Sequence, residues 1–190
     1  MKKRSLQERF FIYRAYFRYN ANNNITSNYF GVKFMKLKLK TLIICIAIPL
    51  LVGGASAFIT MRNMDAFAAF RQPPLSPPSW LFPVVWTILY TLMGIASYLV
   101  ITSVGPQRQI NTAITVYGVQ LIFNFFWSLF FFNLYLFYFS FVWLIALWLL
   151  IIATLLLFSR LSNIAGYLII PYLLWVSFAA YLNLGVAILN

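Results

Sequence analysis

Aromatic and amide side chains recur at helical spacing in three places. Tyr117, Gln120, Asn124, Trp127 and Ser128 fall three or four residues apart, which puts them on one face of a helix. Trp86, Tyr90, Gly94 and Ser97 share a second face, and Tyr172, Trp175, Ala179 and Asn183 a third. Indole and phenol rings offer broad apolar faces for stacking with a donor at one edge, and amides add donors and acceptors. Such a set suits a large, flat, hydrophobic ligand held in one shared cavity. It suits a structural role equally well. An amide in an apolar interior is costly unless paired, so Gln120 and Asn124 can join helices through hydrogen bonds as readily as they can touch a ligand, and Asn183 also needs a partner. Aromatic packing alone can generate the same three faces.

The chemistry that is missing narrows the choice further. The sequence has no histidine, and its only carboxylate side chains are Glu8 and Asp65. Proton-coupled and many ion-coupled transporters place Asp, Glu or His within the bilayer, and none is available in this chain's apolar segments. No zinc or di-iron site can be assembled, and a haem would lack its usual axial histidine, so no metal site and no obligatory cofactor is expected. General acid and base catalysis loses its usual agents too. An enzyme built on this chain would depend on Trp, Tyr or a bound photosensitiser, and binding is the better default. The single cysteine, Cys45, can form no internal disulfide.

The elements that must position these residues follow from composition. The 190 residues are 63% hydrophobic and 8% charged, with a mean hydropathy of +0.87, a balance that calls for lipid as the solvent. Five apolar runs are long enough to span a bilayer, at about 42–61, 79–103, 110–132, 135–158 and 165–189. They lack the alternation of barrel strands, so the predicted fold is an all-α integral membrane bundle of five transmembrane helices.

Ten of the fourteen Lys and Arg residues lie in residues 1–40. This is an orientation signal rather than a nucleic-acid site, and it places the amino terminus inside and the carboxyl terminus outside, in the cytoplasmic membrane by default. Arg108 and Arg160 then fall inside, and Arg62, Asp65 and Arg71 outside. Residues 1–36 form a basic, aromatic arm that reads as a membrane-surface or disordered segment, or as sequence upstream of a true start at Met35. Residues 37–190 form the transmembrane domain. The stretch from Met35 to Ala57 also imitates a secretory signal, and its cleavage would leave four helices.

Between the first two spans runs Pro73-Pro74-Leu75-Ser76-Pro77-Pro78-Ser79-Trp80. The prolines predict a stiff, extended loop, and Ser76 or Ser79 is placed to cap the following helix. Trp80, near a helix start, reads as an interfacial belt residue or as a ligand contact. Gly94 permits close approach of a neighbouring helix, as does the Gly53 and Ala57 pair within or between chains.

With these residues in place, the chain resembles the TspO/MBR family of tryptophan-rich sensory proteins, translocator proteins and peripheral-type benzodiazepine receptors. The resemblance is carried by RQPPLSPPSW from Arg71, PVVWTILYTLMGIASYLV from Pro83, YGVQLIFNFFWSLFF from Tyr117 and PYLLWVSFAAYLN from Pro171. It covers about residues 37–190 and implies a five-helix bundle, commonly a homodimer. It further implies binding of porphyrins such as protoporphyrin IX and haem, of sterols in some members, and of benzodiazepine-type ligands. A retained first helix is also implied, against signal cleavage.

By position the implied pocket contains Trp86, Asn124, Trp127 and Trp175, with Tyr90, Gln120 and Asn183 beside them. Arg62 and Arg71 are candidate rim partners for ligand propionates on charge alone. This chain departs from many members in having Leu75 in place of a Trp, and Ala66-Phe67 in place of an aromatic pair. No basic residue follows Tyr181 to complete a sterol motif. The expected function is a binding and sensing protein for tetrapyrroles. The alternatives are a transporter of porphyrins or other lipophiles, and a light- or oxygen-dependent porphyrin-degrading enzyme using Trp86 and Trp175.

Overall fold

The computed structural model describes residues 38–63 and 69–190. The expectations for the arm at 1–36, and for Glu8, Asp65, Ala66 and Phe67, concern residues outside that description. Five helices are long and apolar enough to cross a membrane among the described residues. They are α1 (Leu39–Thr60), α2 (Leu81–Ile101), α3 (Gln107–Ser128), α4 (Phe137–Leu161) and α5 (Asn163–Leu189). Each expected span is present, with ends displaced by a few residues. A 3₁₀ turn, Met61–Asn63, extends α1, and a π-helical turn, Leu129–Asn133, extends α3.

Local sequence explains most of the boundaries. Pro106 precedes α3 with a fixed, non-helical backbone, and Pro83 sits in the first turn of α2, where its missing N–H costs nothing. Ser162 is the whole connection between α4 and α5. It takes an extended conformation, and its Oγ accepts the Ala165 N–H at 3.3 Å as an N-cap. Pro49 and Pro171 lie inside α1 and α5, as membrane helices tolerate when neighbours close around them.

Around the bundle the helices follow the order α1, α2, α5, α4, α3, with α3 closing back onto α1. α1 and α2 approach at Gly94, where a Cβ would come 2.5 Å from the Ile46 Cα and 2.8 Å from the Cys45 carbonyl oxygen. That carbonyl is the one left without its intrahelical donor by Pro49. The interior is filled by side chains of all five helices, among them Met93, Leu144, Leu147, Ile151, Tyr172 and Val176, each fully buried. α1 turns Ile44, Leu51 and Phe58 outward, exposed as a lipid-facing helix requires.

The proline segment departs from expectation. Neither Ser76 nor Ser79 caps α2, whose N-cap residue is Trp80 with no side-chain cap. Ser76 is used locally instead. Its N–H and its Oγ both donate to the Pro73 carbonyl, at 3.3 and 2.8 Å. This closes a tight turn four residues ahead of α2, which begins through a backbone bond from Leu81 N to Pro78 O at 2.9 Å. The turn holds Leu75 at φ 67°, in the left-handed region that costs a branched residue about 1–2 kcal/mol. Leu75 is 82% exposed and contributes little packing. Leu75→Asn is therefore expected to raise the melting temperature by a few degrees, about 1 kcal/mol. Thermal unfolding followed by tryptophan fluorescence in detergent reads this directly, and an unchanged midpoint would show that the turn stores no strain.

Candidate functional site

At the end of the bundle that carries Arg62 and Arg71, two cavities lie side by side. The first, about 310 Å³, is roofed by Gln72 and Ser76–Ser79 and walled by Phe82 of α2, by Trp127, Phe131 and Phe132, and by Ala179, Leu182 and Asn183 of α5. The second, about 230 Å³, is walled by Gly53, Ser56, Ala57 and Thr60 of α1, by Trp86 and Tyr90 of α2, and by Trp127, Ser128 and Phe132. Phe82, Trp127 and Phe132 border both. Ligand sites run from about 300 to 1,000 Å³, so each chamber alone is at or below the small end, and both are mostly apolar.

The proline roof is tied down at several points. The Arg71 N–H donates to Asn190 Oδ1 at 3.0 Å, and Asn190 Nδ2 donates back to the Arg71 carbonyl at 3.0 Å. The Tyr181 hydroxyl donates to the Pro74 carbonyl at 2.8 Å. Gly185 lets the loop lie flush on α5, since a Cβ there would meet Pro73 Cβ at 2.6 Å.

Below the cavities the interior polar groups are joined to one another. The Tyr90 hydroxyl donates to Asn124 Oδ1 at 2.6 Å. Asn124 Nδ2 and Gln120 Nε2 both donate to the Tyr172 hydroxyl oxygen, at 3.0 and 2.8 Å. These four buried residues tie α2, α3 and α5 together. A second knot forms at Asn183, whose Oδ1 accepts from Trp127 Nε1 and from Ser140 Oγ, both at 3.1 Å, while its Nδ2 donates to the Phe137 carbonyl at 2.8 Å.

The site residues read from the sequence therefore divide. Trp86, Tyr90, Trp127 and Asn183 line the cavities. Gln120 and Asn124 lie beneath them, buried and engaged with tyrosines. Trp175 borders neither cavity and packs edge-on against Phe82 from behind, with ring centroids 6.0 Å apart. Arg62 and Arg71 are exposed at the same end of the bundle, and Trp80 is 66% exposed.

Three indoles, Trp80, Trp86 and Trp175, make no N–H hydrogen bond to a described residue, and of these Trp86 is the one that lines a chamber. It is half-buried and stacks on Tyr90 at 5.3 Å and 28°. Trp127 is taken by Asn183, Trp143 donates to the Phe123 carbonyl at 2.9 Å, and Trp148 donates to Ser177 Oγ at 2.9 Å. Sequence reasoning missed Phe82, Phe132 and the α1 wall. The small residues Gly53, Ser56 and Ala57 signal close packing, and Gly53 does lie directly under the Tyr90 ring, but nothing local marks them as a cavity wall.

Known proteins resemble the chain over the same region. The model of the TspO/MBR family matches residues 45–189. The tryptophan-rich protein TspO of Chlorobaculum tepidum is 37% identical over 157 residues, which cover 82% of this chain and 99% of that relative. The protein of the same name from Archaeoglobus fulgidus is 34% identical, over 81% of this chain and 99% of its own length. The translocator protein of Homo sapiens is 30% identical over 67% of this chain and 76% of its own.

Proposed function

This chain belongs to the TspO/MBR family, and we propose that it is a membrane receptor binding a tetrapyrrole, protoporphyrin IX or haem, in the paired cavities beneath the proline loop. The observation that carries this reading is Trp86. It presents a ring stacked on Tyr90 and an unengaged N–H at the wall of an apolar chamber, the combination that a flat ligand with polar edges requires. Phe82, Trp127 and Phe132 stand between the two chambers, and their displacement would join these into a space suited to a macrocycle. Arg62 and Arg71, at the same end, supply positive charge for propionates.

Binding is favoured over transport by what lies below. The interlocked Tyr90, Asn124, Gln120 and Tyr172 side chains close the bundle interior beneath both chambers, and a carrier would have to break that plug in each cycle. Degradation of the ligand needs no further residue, because a bound porphyrin is itself a photosensitiser, so binding has to be measured in the dark. In this proposal the basic residues Lys38, Lys40, Arg108 and Arg160 mark the cytoplasmic end, which puts the cavities at the outer face. Assembly as a homodimer belongs to the same proposal.

The test is quenching of tryptophan fluorescence by protoporphyrin IX in detergent without light. Saturable quenching is expected, with affinity lowered roughly fivefold by Trp86→Phe, the order of one lost hydrogen bond, and unchanged by Trp148→Phe, which lines neither chamber. Quenching that never saturates, or that is indifferent to Trp86→Phe, would reject the site.

A further inference from the structure

The opposite end of the bundle carries an unusual polar stripe on the outer face of α3. Arg108, Asn111, Thr112, Thr115 and Val116 line a shallow groove there, and Asn111, Thr112 and Thr115 are exposed. The polar stripe runs deeper than the surrounding surface permits. Thr115 lies eight residues into α3, about 12 Å along its axis. On neighbouring helices at this end the charged residues stop at the helix ends, at Lys40 and Arg160, and the outward residues just beyond them are Ile43 and Ile44 of α1 and Leu156 of α4, all more than half exposed and apolar. Polar side chains turned toward hydrocarbon at such depth call for a polar occupant.

The groups on offer define its chemistry. Thr112 satisfies its hydroxyl on the Arg108 carbonyl at 2.9 Å, and Asn111 Oδ1 accepts from Gln107 Nε2 at 2.8 Å. What remains outward is the Arg108 guanidinium, the Asn111 N–H₂ group and the Thr115 hydroxyl, which makes no hydrogen bond to any described residue. All of them can donate, and no carboxylate side chain exists among the described residues to neutralise the arginine. Farther down the same face come Val119, Ile122 and Phe126, all exposed. A cation, then neutral donors, then apolar surface is the order of phosphate, glycerol ester and acyl chain in a phospholipid.

We propose that this face of α3 binds one anionic phospholipid, with its phosphate on Arg108, its ester oxygens on Asn111 and Thr115, and an acyl chain over Val119 and Ile122. The test is native mass spectrometry of the protein released from detergent containing equal phosphatidylglycerol and phosphatidylcholine of the same chains. The expected result is one retained phosphatidylglycerol, preferred over phosphatidylcholine. Arg108→Gln should cut that preference roughly fivefold, the weight of one basic residue at an anionic surface, and Asn111→Leu with Thr115→Val should shorten retention without changing the melting temperature. Arg160→Gln, at the same end but outside the groove, should leave the preference intact. Equal retention of the two lipids, or an equal loss from Arg108→Gln and Arg160→Gln, would overturn the proposal. So would displacement of the lipid by millimolar inorganic phosphate, which would mark a plain anion site.

Discussion

Gly94→Ala is expected to lower stability by about 3 kcal/mol, at the upper end of what a misplaced methyl group costs in a packed interior, and so to depress the melting temperature by roughly 10 °C. The methyl would be driven toward the Ile46 Cα at 2.5 Å and the Cys45 carbonyl at 2.8 Å. Both are backbone atoms, so no rotamer change relieves the contact, and α1 must move as a unit. Binding should fail with it, because Gly53, Ser56, Ala57 and Thr60 of α1 make one wall of the second chamber. Gly54→Ala is the internal control. A Cβ at that position meets nothing within 4 Å, so both the melting temperature and porphyrin quenching should hold. If the two alanine variants melt alike, the contact at Gly94 does not set the spacing of α1 and α2.

Gly94 also illustrates what was legible in the sequence. A small residue on the polar face of an apolar helix announces a close approach, and the structure supplies the neighbour. The five spans were legible for a related reason: proline, charge and polar clusters interrupt the apolar runs, and lipid leaves helices as the remaining solution for runs of that length. The amide stripe of α3 was legible as a buried face, because hydrocarbon forbids an unpaired amide. Its division was not. Gln120, Asn124 and Trp127 share one face at spacings of three and four, yet the first two meet tyrosines of neighbouring helices while Trp127 borders the chambers. Periodicity fixes a direction around the helix axis and says nothing about what stands opposite at each level.

Other features had no local signature at all. The π-helical turn Leu129–Asn133 arises over the sequence Leu-Phe-Phe-Phe-Asn, with Tyr135 at φ 53° just beyond it. No glycine or asparagine marks the left-handed residue, so packing of Phe131 and Phe132 beneath the proline roof must compensate for the backbone. Trp175 shows the same limit on another helix. Its spacing groups it with Tyr172, Ala179 and Asn183, but it stands at the margin of the buried arc of α5 and packs against Phe82 instead of opening into a chamber. Ser76 read as a cap for the helix ahead, and the fold turns it back onto the Pro73 carbonyl instead.

The second large effect is expected at Asn183. Asn183→Leu keeps the branched shape of the side chain but replaces both amide heteroatoms with bulkier methyl groups, so it removes every hydrogen bond at the knot and adds some crowding. Ser140 Oγ retains the Phe137 carbonyl at 2.9 Å as an acceptor, whereas Trp127 Nε1 loses its acceptor and is left in an apolar interior. An orphaned buried donor costs about 1–3 kcal/mol, while interhelical hydrogen bonds in membranes average only about 0.6 kcal/mol with a maximum near 1.7. A destabilisation of about 2 kcal/mol would therefore place this bond among the strongest of its kind. It is expected here because Asn183 is fully buried and joins α3, α4 and α5 at one point. Freed from Asn183, the Trp127 ring loses its fixed orientation between the chambers, so porphyrin affinity should fall with stability. A double-mutant cycle with Trp127→Phe separates the bond from mere packing. If Trp127→Phe costs as much in the Asn183→Leu background as in the unmodified chain, the two side chains are uncoupled. Trp127 would then hold its place through the stacking of its ring on Phe131, at 5.6 Å and 18°, and the polar knot would be incidental to the site.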